Sequence, residues 1–288
     1  MIPTETTWLR VSRELPCPVC GKFDWCLVAA DKSAVICPRT ESPKRCGEAG
    51  YLHRLTDSPR PRGPRRVVLP IRTASPDLTA LAMQYQHAAT IDRLHDFAAS
   101  LHVNTNSMIA FGVGWATGYA AWSFPMTDPM TGKVIGIRLR RPDGPKFSVA
   151  GGKEALFMPD TITSADDVLM ALEGGTDALA AHSIGFCNAV GRPSCTGGTA
   201  HLVALVRARK PARVVIVCDN DEPGIRGADS LARVLVLHHR NVRVITPPAG
   251  VKDMRDWIAT GAARADVEKI ISAADARRLD ITIKKGAI

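Results

Sequence analysis

One short segment, VVIVCDND at residues 214–221, constrains the fold more than any other part of the chain. Its apolar half predicts a buried β-strand, because it is short, rich in β-branched residues and bounded by turn residues. Asp219 and Asp221 follow the strand directly, and a Glu-Pro-Gly turn then leads into a segment with helical spacing at residues 228–237. This arrangement is typical of an open α/β sheet, which binds ligands at the carboxyl ends of its strands.

The two carboxylates are separated by Asn220, so in an extended backbone both side chains point to the same side. Two like charges at this spacing repel each other unless a cation lies between them, and carboxylate oxygens are ligands that Mg²⁺ prefers. The segment therefore predicts a magnesium site. A second interpretation stays open, in which the acidic pair only caps the following helix.

Strand and helix alternate through the rest of the C-terminal half. A strand predicted at residues 168–172 ends at Glu173, and Thr176 is the predicted cap of the next helix. Further strands are predicted at residues 186–190 and 242–246, the first followed by the turn GRPSCTGG and the second by the motif KDMRDW. Such alternation predicts a parallel sheet with crossover helices, which is an α/β fold.

The N-terminal segment is rich in cysteine and begins with a tight CPVCG knuckle. Four thiolates can close a tetrahedral structural zinc site, which would stabilise a unit too small to fold on its core alone. His53 is an alternative to the last of the four cysteines, and Cys26 is predicted to be a buried strand residue. The predicted zinc ligands are Cys17, Cys20, Cys37 and Cys46.

The middle of the chain changes character twice. Residues 56–76 are rich in Pro and Arg and predict an extended linker. Helical spacing then gives way to short alternating runs, which predict an antiparallel meander. One hairpin of this meander would place Arg138, Arg140 and Lys146 on a common polar face. That face is interpreted either as a phosphate-binding surface or as an ordinary solvated sheet face.

Composition narrows the classes of function. The net charge of +9 and the pI near 9.3 favour a polyanionic partner. The N-terminus carries no apolar signal segment, and no stretch approaches the length of a membrane span, so a cytoplasmic location without membrane attachment is expected. A phosphate-binding loop of the motor ATPases is absent from the sequence.

The acidic motifs form an ordered set. One predicted strand ends in Glu-Gly, a second in Asp-x-Asp, and a Lys-Asp motif follows one strand later. This set resembles the Toprim domain that primases, topoisomerases and some nucleases share. Together with the cysteine-rich segment, residues 15–260 resemble the Toprim-class DNA primases. The phrases GVGW, WSFPMTDPMTGKVIGIRLR and GRPSCTGG are similar to the bacteriophage and plasmid branch of that family.

The resemblance implies an α/β core within a chain that is α+β overall. A Toprim parallel sheet would be preceded by an antiparallel and helical subdomain and by a small zinc-ribbon-like domain. The implied division is a zinc-binding domain at residues 1–55, a linker at 56–76, the N-terminal subdomain of the RNA polymerase (primase) core at 77–165, the Toprim domain at 166–263, and a C-terminal helix and tail at 264–288.

The resemblance also implies site residues. Glu173 would lie near the reacting hydroxyl as a base or as a metal ligand, and Asp253 would be a further acidic residue of the site. Mg²⁺ or Mn²⁺ would be held by Glu173, Asp219 and Asp221. The implied nucleotide- and template-binding residues are Arg138, Arg140, Lys146, Arg192, Ser194 and Lys252.

The expected function is that of a DNA primase, which makes short primers on single-stranded DNA from nucleoside triphosphates by metal-dependent nucleotidyl transfer. The zinc domain would help to read the template, and a separate replicative helicase is the expected partner. The alternative is a non-catalytic zinc and Toprim protein that binds DNA as a recombination or repair mediator. The four acidic residues of the predicted site favour the enzyme.

Overall fold

The computed structural model divides the chain into two compact units, Met1–Ile71 and Arg72–Ile288. The predicted linker at residues 56–76 lies almost entirely outside the residues that the structure describes. The described residues are 7–56, 76–142, 144–163 and 168–278.

The N-terminal unit is a four-stranded antiparallel sheet whose strands follow one another in chain order. Its core holds only a few apolar side chains, among them Val11, Val28 and Val35, packed against cysteines. The two outer strands have only three and four residues, which is too few to show a clear alternation in the sequence. The strands are β1 (Trp8–Arg10), β2 (Leu27–Ala29), β3 (Ala34–Cys37) and β4 (Tyr51–Arg54).

The second unit begins with three helices. Asp77 caps the first of them, since its carboxylate accepts hydrogen bonds from the N–H groups of Thr79 and Ala80, both at 3.0 Å. The first two helices follow the predicted apolar spacing, whereas the third has six residues and is too short to show a period. They are α1 (Leu78–Ala88), α2 (Ile91–Ser100) and α3 (Thr105–Ala110).

An antiparallel meander follows, and its strands pair in chain order as predicted. In the last hairpin Arg140 lies opposite Lys146, and Arg138 lies opposite Ser148. Residues that face each other across paired strands project from the same side of the sheet, so the predicted polar face is formed. The strands are β5 (Gly114–Ala116), β6 (Ala121–Thr127), β7 (Val134–Arg140) and β8 (Lys146–Ser148).

A five-stranded sheet forms the remainder of the second unit, in the spatial order β10-β9-β11-β12-β13. The first four strands are parallel, and the last runs antiparallel to its neighbour. The predicted polar tail therefore begins with a short edge strand. This strand has two residues, too few for an alternation of apolar and polar side chains to predict it. The strands are β9 (Val168–Leu172), β10 (Ala189–Gly191), β11 (Arg213–Val217), β12 (Val242–Ile245) and β13 (Ala276–Arg277).

Helices cover both faces of this sheet. One differs from expectation at its start: Gly174, not Thr176, is the cap residue, and no side chain accepts a hydrogen bond there. Another begins six residues before the predicted segment because Asp221 caps it. The helices are α4 (Gly175–Ser183), α5 (Thr199–Arg209), α6 (Glu222–Leu235), α7 (Met254–Ala259) and α8 (Arg264–Ala273).

The two central parallel strands, β9 and β11, are buried on both faces, which explains their almost continuous apolar sequences. Along β11, Val215 and Val217 belong to one apolar cluster, and Val214 and Ile216 belong to the other. The predicted α/β class is therefore confirmed for this part of the chain. None of the helices in the described ranges combines the length and the apolar character that a bilayer crossing needs.

Candidate functional site

The predicted acidic residues lie at the carboxyl edge of the parallel sheet. Glu173 follows β9, and Asp219 and Asp221 follow β11. Asp253 lies in the connection between β12 and α7. Because these three strands are adjacent and parallel, their carboxyl ends meet at one edge of the sheet.

The carboxylates of this edge perturb one another. Burial raises the pKa of Asp219 to about 7, with further contributions from the charges of Asp177, Glu173, Asp253 and Asp221. Repulsion of this kind is relieved when a cation binds among the oxygens. Carboxylate oxygens are the type of ligand that holds Mg²⁺ or Mn²⁺, although in the described residues no three of these carboxylates offer oxygens within 4.8 Å of one another.

The pKa of Glu173 is raised for similar reasons. Burial is the main cause and the charge of Asp221 adds to it, while Arg192 and Lys252 act in the opposite direction. A carboxyl group with a raised pKa is a better proton acceptor than an exposed one.

Asp177 is an acidic residue of this site that the motifs did not single out. It lies in the first turn of α4 with 7% of its surface exposed, and its Oδ1 accepts a hydrogen bond of 3.2 Å from the Arg255 N–H. Burial raises the pKa of Asp177 to about 7, and Asp253 contributes to the shift. Its place in the sequence offered a signal, because Asp177 lies four residues after Glu173, in the first turn of the helix that follows β9.

Asn220 joins the two acidic loops. Its side-chain amide donates to the carbonyls of Pro247, Pro248 and Val251 at 3.2, 3.3 and 2.8 Å, and its backbone N–H donates to the Lys252 carbonyl at 2.7 Å. The loop that carries the Lys-Asp motif is thereby fixed beside the end of β11. The residue between the two aspartates has a structural role that its position alone did not indicate.

Two of the predicted carboxylates also cap helices. Asp221 accepts a 2.8 Å hydrogen bond from the Gly224 N–H, and Asp253 accepts one of the same length from the Asp256 N–H. The capping interpretation is therefore correct for Asp221. It does not extend to Asp219, whose carboxylate caps neither of the helices that follow.

A cavity of about 210 Å³ opens between the acidic edge and the meander. Arg138, Arg140 and Lys146 line one part of it, and Glu173 and Ser194 line another. The structure thus brings the predicted basic face and the first predicted acidic residue to one cavity.

The cations of this cavity are crowded and poorly paired. Burial lowers the pKa of Lys146, and the nearby charge of Arg140 lowers it further. In the described part of the chain, Arg138 Nε and Arg140 Nη1 are buried without a hydrogen-bond partner, although Arg138 also lies 3.7 Å from the carboxylate of Glu154. Buried cationic donors of this kind favour an anion with several acceptor oxygens, such as a phosphate.

Arg192 occupies a different place from the other predicted basic residues. Only 4% of its surface is exposed, and its guanidinium donates to the Gly197 and Cys195 carbonyls at 3.0 and 2.6 Å. Ser194 Oγ accepts a hydrogen bond of 3.0 Å from the Gly197 N–H. Arg192 therefore holds the glycine-rich turn in shape, and Ser194 of that turn lines the cavity.

Four cysteines of the N-terminal unit form a second candidate site. Their sulfur atoms all lie within 4.8 Å of one another, and the Cys20–Cys26 and Cys26–Cys37 sulfurs are 3.6 and 3.7 Å apart. A tetrahedral ion with bonds of about 2.3 Å would separate its sulfur ligands by about 3.8 Å. The cluster is thus the right size for zinc. Its members are Cys17, Cys20, Cys26 and Cys37.

The prediction that Cys46 completes this cluster is wrong, because the structure places Cys26 there. Cys46 lies before a 3₁₀ turn, where its N–H donates to the Gly50 carbonyl. His53 is not a member either, since its Nε2 lies 3.0 Å from the Thr40 carbonyl oxygen. The reason is strand register: Leu27 pairs with Ile36 in the hairpin, which brings the next residues, Cys26 and Cys37, side by side.

A known protein family matches the segment of the chain that contains the acidic edge. A family model described as Toprim-like matches residues 170–258, so the predicted Toprim domain is confirmed. A comparison with curated protein sequences finds no significant match.

Solved structures of primases share the fold of this chain. The Escherichia coli primase catalytic core is 16% identical over 69% of this chain and 79% of its own length, with a TM-score of 0.55. A DnaG primase catalytic domain bound to single-stranded DNA is 16% identical over 68% and 79%, with a TM-score of 0.54. The Aquifex aeolicus primase, with its zinc-binding and RNA polymerase domains, is 14% identical over 93% and 78%, with a TM-score of 0.51. At these identities the likeness establishes the fold.

Proposed function

We propose that this chain, which contains a Toprim-like domain within a primase-like fold, is a DNA primase. It would synthesise short oligonucleotide primers on single-stranded DNA by adding nucleotides from nucleoside triphosphates. One observation carries the proposal: a cavity bounded by Arg138, Arg140 and Lys146 is also bounded by Glu173 of the acidic edge. Nucleotidyl transfer needs cations that hold phosphates next to carboxylates that hold metal ions.

The residues of the cavity have distinct roles in this proposal. The buried donors of Arg138 and Arg140, together with Lys146, would bind the phosphates of the nucleotide or template. Glu173, with its raised pKa, would lie near the attacking hydroxyl as its base or as a metal ligand. Arg192 would act indirectly, by shaping the turn that presents Ser194.

The acidic edge would hold Mg²⁺ or Mn²⁺ through Glu173, Asp219 and Asp221, with Asp177 and Asp253 beside them. When bound, the divalent cation would make the attacking 3′-hydroxyl more acidic and offset the negative charge that develops around the α-phosphate. Lys252 is held next to this edge through the hydrogen bond from Asn220 and would contact a nucleotide phosphate.

The cysteine cluster would hold a structural Zn²⁺, and its unit would help to read the template. In this proposal residues 1–55 are the zinc-binding domain, 56–76 the linker, 77–165 the N-terminal part of the polymerase core, 166–263 the Toprim domain and 264–288 the C-terminal segment. The partners would be single-stranded DNA, nucleoside triphosphates and a separate replicative helicase, met in the cytoplasm.

The test is template-dependent synthesis by the full-length protein. The protein is incubated with a pool of single-stranded DNA templates, Mg²⁺ or Mn²⁺ and labelled nucleotides, and the products are sized and sequenced. Short products that depend on template and metal are expected. DNA binding without synthesis under all of these conditions would contradict the primase assignment and favour the non-catalytic mediator.

The basic face supplies a separate prediction. Arg140→Ala and Lys146→Ala should each weaken nucleotide or template binding and reduce the log–log dependence of affinity on salt by about 0.7 per lost phosphate contact. Affinity is measured by titration at several salt concentrations.

The matched control is Arg141→Ala. Arg141 neighbours Arg140, but its guanidinium lies over the Phe147 ring and its Nε donates to the Tyr119 carbonyl. Its removal should leave the salt dependence unchanged. Equal slopes for Arg140→Ala, Lys146→Ala and the wild-type protein would mean that the basic face is an ordinary solvated surface.

A further inference from the structure

We propose that four consecutive residues of the cysteine unit, Lys22-Phe23-Asp24-Trp25, form a stacking platform for the bases of single-stranded nucleic acid. We call this segment the KFDW loop. The inference rests on the proposed function for its biological role, since it names the surface through which the cysteine unit would engage the template.

The two aromatic side chains of the KFDW loop lie in solvent. Trp25 is 74% exposed, more than any other large apolar side chain in the described ranges, and Phe23 is 52% exposed. Neither belongs to the apolar core of the unit, which is built from valines and cysteines. Two exposed aromatic rings within four consecutive residues are of the kind that interaction surfaces present.

Trp25 also adopts an unfavourable backbone conformation. Its φ of +63° lies in the left-handed region, which large L-residues rarely occupy. Burial of the ring does not compensate for this cost, because the ring is exposed. Strain that local packing does not compensate is found at functional positions.

The backbone of the KFDW loop is nevertheless firmly held. The Asp24 carbonyl accepts hydrogen bonds of 2.9 Å from both the Cys26 N–H and Arg39 Nη1. Arg39 Nη2 also lies 2.7 Å from the Asp24 carboxylate, and Cys26 is a member of the cysteine cluster. The rings are therefore presented on a fixed backbone, which lowers the entropy cost of stacking a base on them.

The charge around the rings suits a nucleic-acid backbone. The Arg13 guanidinium lies 5.5 Å from the centre of the Phe23 ring, and Lys22 is exposed beside it. The one acidic residue of the loop, Asp24, is paired with Arg39. Rings flanked by Lys22 and Arg13, in a loop that contains no aliphatic residue, fit stacked bases and their phosphates better than the apolar groove of a protein partner.

The test measures binding of the full-length protein to fluorescently labelled single-stranded oligonucleotides by anisotropy. Trp25→Ala and Phe23→Ala should each weaken binding at least about fivefold, the effect expected for one lost base stack. Trp25→Phe keeps an aromatic face and should retain most of the affinity. The control is Lys32→Ala, an exposed residue of the same unit that also has a positive φ, at +55°.

Trp25→Gly separates a binding role from a structural one. Glycine adopts positive φ without strain, so the melting temperature and zinc content of this variant should be unchanged or higher, while its affinity for the oligonucleotide falls. Wild-type affinity in both Trp25→Ala and Trp25→Gly would overturn the proposal. Unchanged affinity together with a change in oligomeric state would also overturn it and would identify the loop as a contact between copies of this chain.

A parallel assay distinguishes this proposal from the proposed function. The same proteins are tested for extension of a pre-annealed primer. Trp25-dependent DNA binding without any synthesis would refute the primase function and leave the platform intact. Synthesis by the wild-type protein with binding that is insensitive to Trp25 and Phe23 would refute only the platform.

Discussion

Asp219→Asn should reduce primer synthesis by about a hundredfold or more, the cost of removing one preorganised charged group from an active site. The same substitution should leave the metal-free protein at least as stable as the wild type. The reason is that partial burial raises the pKa of Asp219 to about 7, and repulsion by four other carboxylates contributes to the shift. An amide of the same shape removes that repulsion. Synthesis and melting temperature are measured on the same preparations.

The effect on stability depends on pH in a defined direction. The pKa of Asp219 in the folded protein, about 7, is above the value of about 3.9 that an aspartate has in the unfolded chain. The folded state therefore binds the proton more tightly, so this contribution to stability is complete below pH 4 and is lost as the pH rises through 7. The melting temperature of Asp219→Asn relative to wild type should rise over that interval.

Added Mg²⁺ completes the comparison. At pH 8 it should raise the melting temperature of the wild-type protein more than that of Asp219→Asn, because binding to the folded state alone stabilises it. The control is Asp96→Asn, whose carboxylate is exposed on α2 away from the cluster. Wild-type synthesis by Asp219→Asn, or an equal response to Mg²⁺, would contradict the metal assignment.

Cys26→Ser should remove zinc from the protein and unfold the N-terminal unit, whereas Cys46→Ser should do neither. Cys26 lies within 4 Å of two other sulfurs of the cluster, and a unit with so small a core depends on its metal for folding. Cys46 lies outside the cluster. Zinc is measured by elemental analysis, and folding by circular dichroism.

The functional consequence should be selective. If the cysteine unit helps to read the template, Cys26→Ser should lose de novo initiation but still extend a pre-annealed primer, and Cys46→Ser should retain both activities. If Cys26→Ser retained zinc and Cys46→Ser lost it, the fourth zinc ligand would be Cys46, as predicted from the sequence. Full de novo initiation by a zinc-free Cys26→Ser protein would show that the cysteine unit does not read the template.

The acidic edge lowers the stability of the metal-free protein. Asp177 and Asp219 both have pKa values raised to about 7, mainly by burial, and Asp253 raises both further. Such groups destabilise the metal-free protein near neutral pH. Buried, mutually repelling carboxylates beside unpaired arginine donors are expected where a cation and an anion bind together.

The sequence by itself determined those features that follow from local periodicity. The apolar strands and the residues after them located Glu173, Asp219 and Asp221 at one edge, because parallel strands with crossover helices bring their carboxyl ends together. The alternation of a strand likewise placed Arg138, Arg140 and Lys146 on one face. Both results require only the two-residue period of a β-strand and the rule that crossover helices join parallel strands.

The tertiary structure decided which separate elements come together. The opposition of the basic face and Glu173 across one cavity depends on how two sheets pack, and no local period encodes that packing. Strand register places Cys26, and not Cys46, in the cysteine cluster. The guanidinium of Arg192 is buried and donates to carbonyls of its own turn. Asp177 joined the site through the direction of α4. Each of these depends on distances between residues far apart in the chain, which residue type and spacing do not specify.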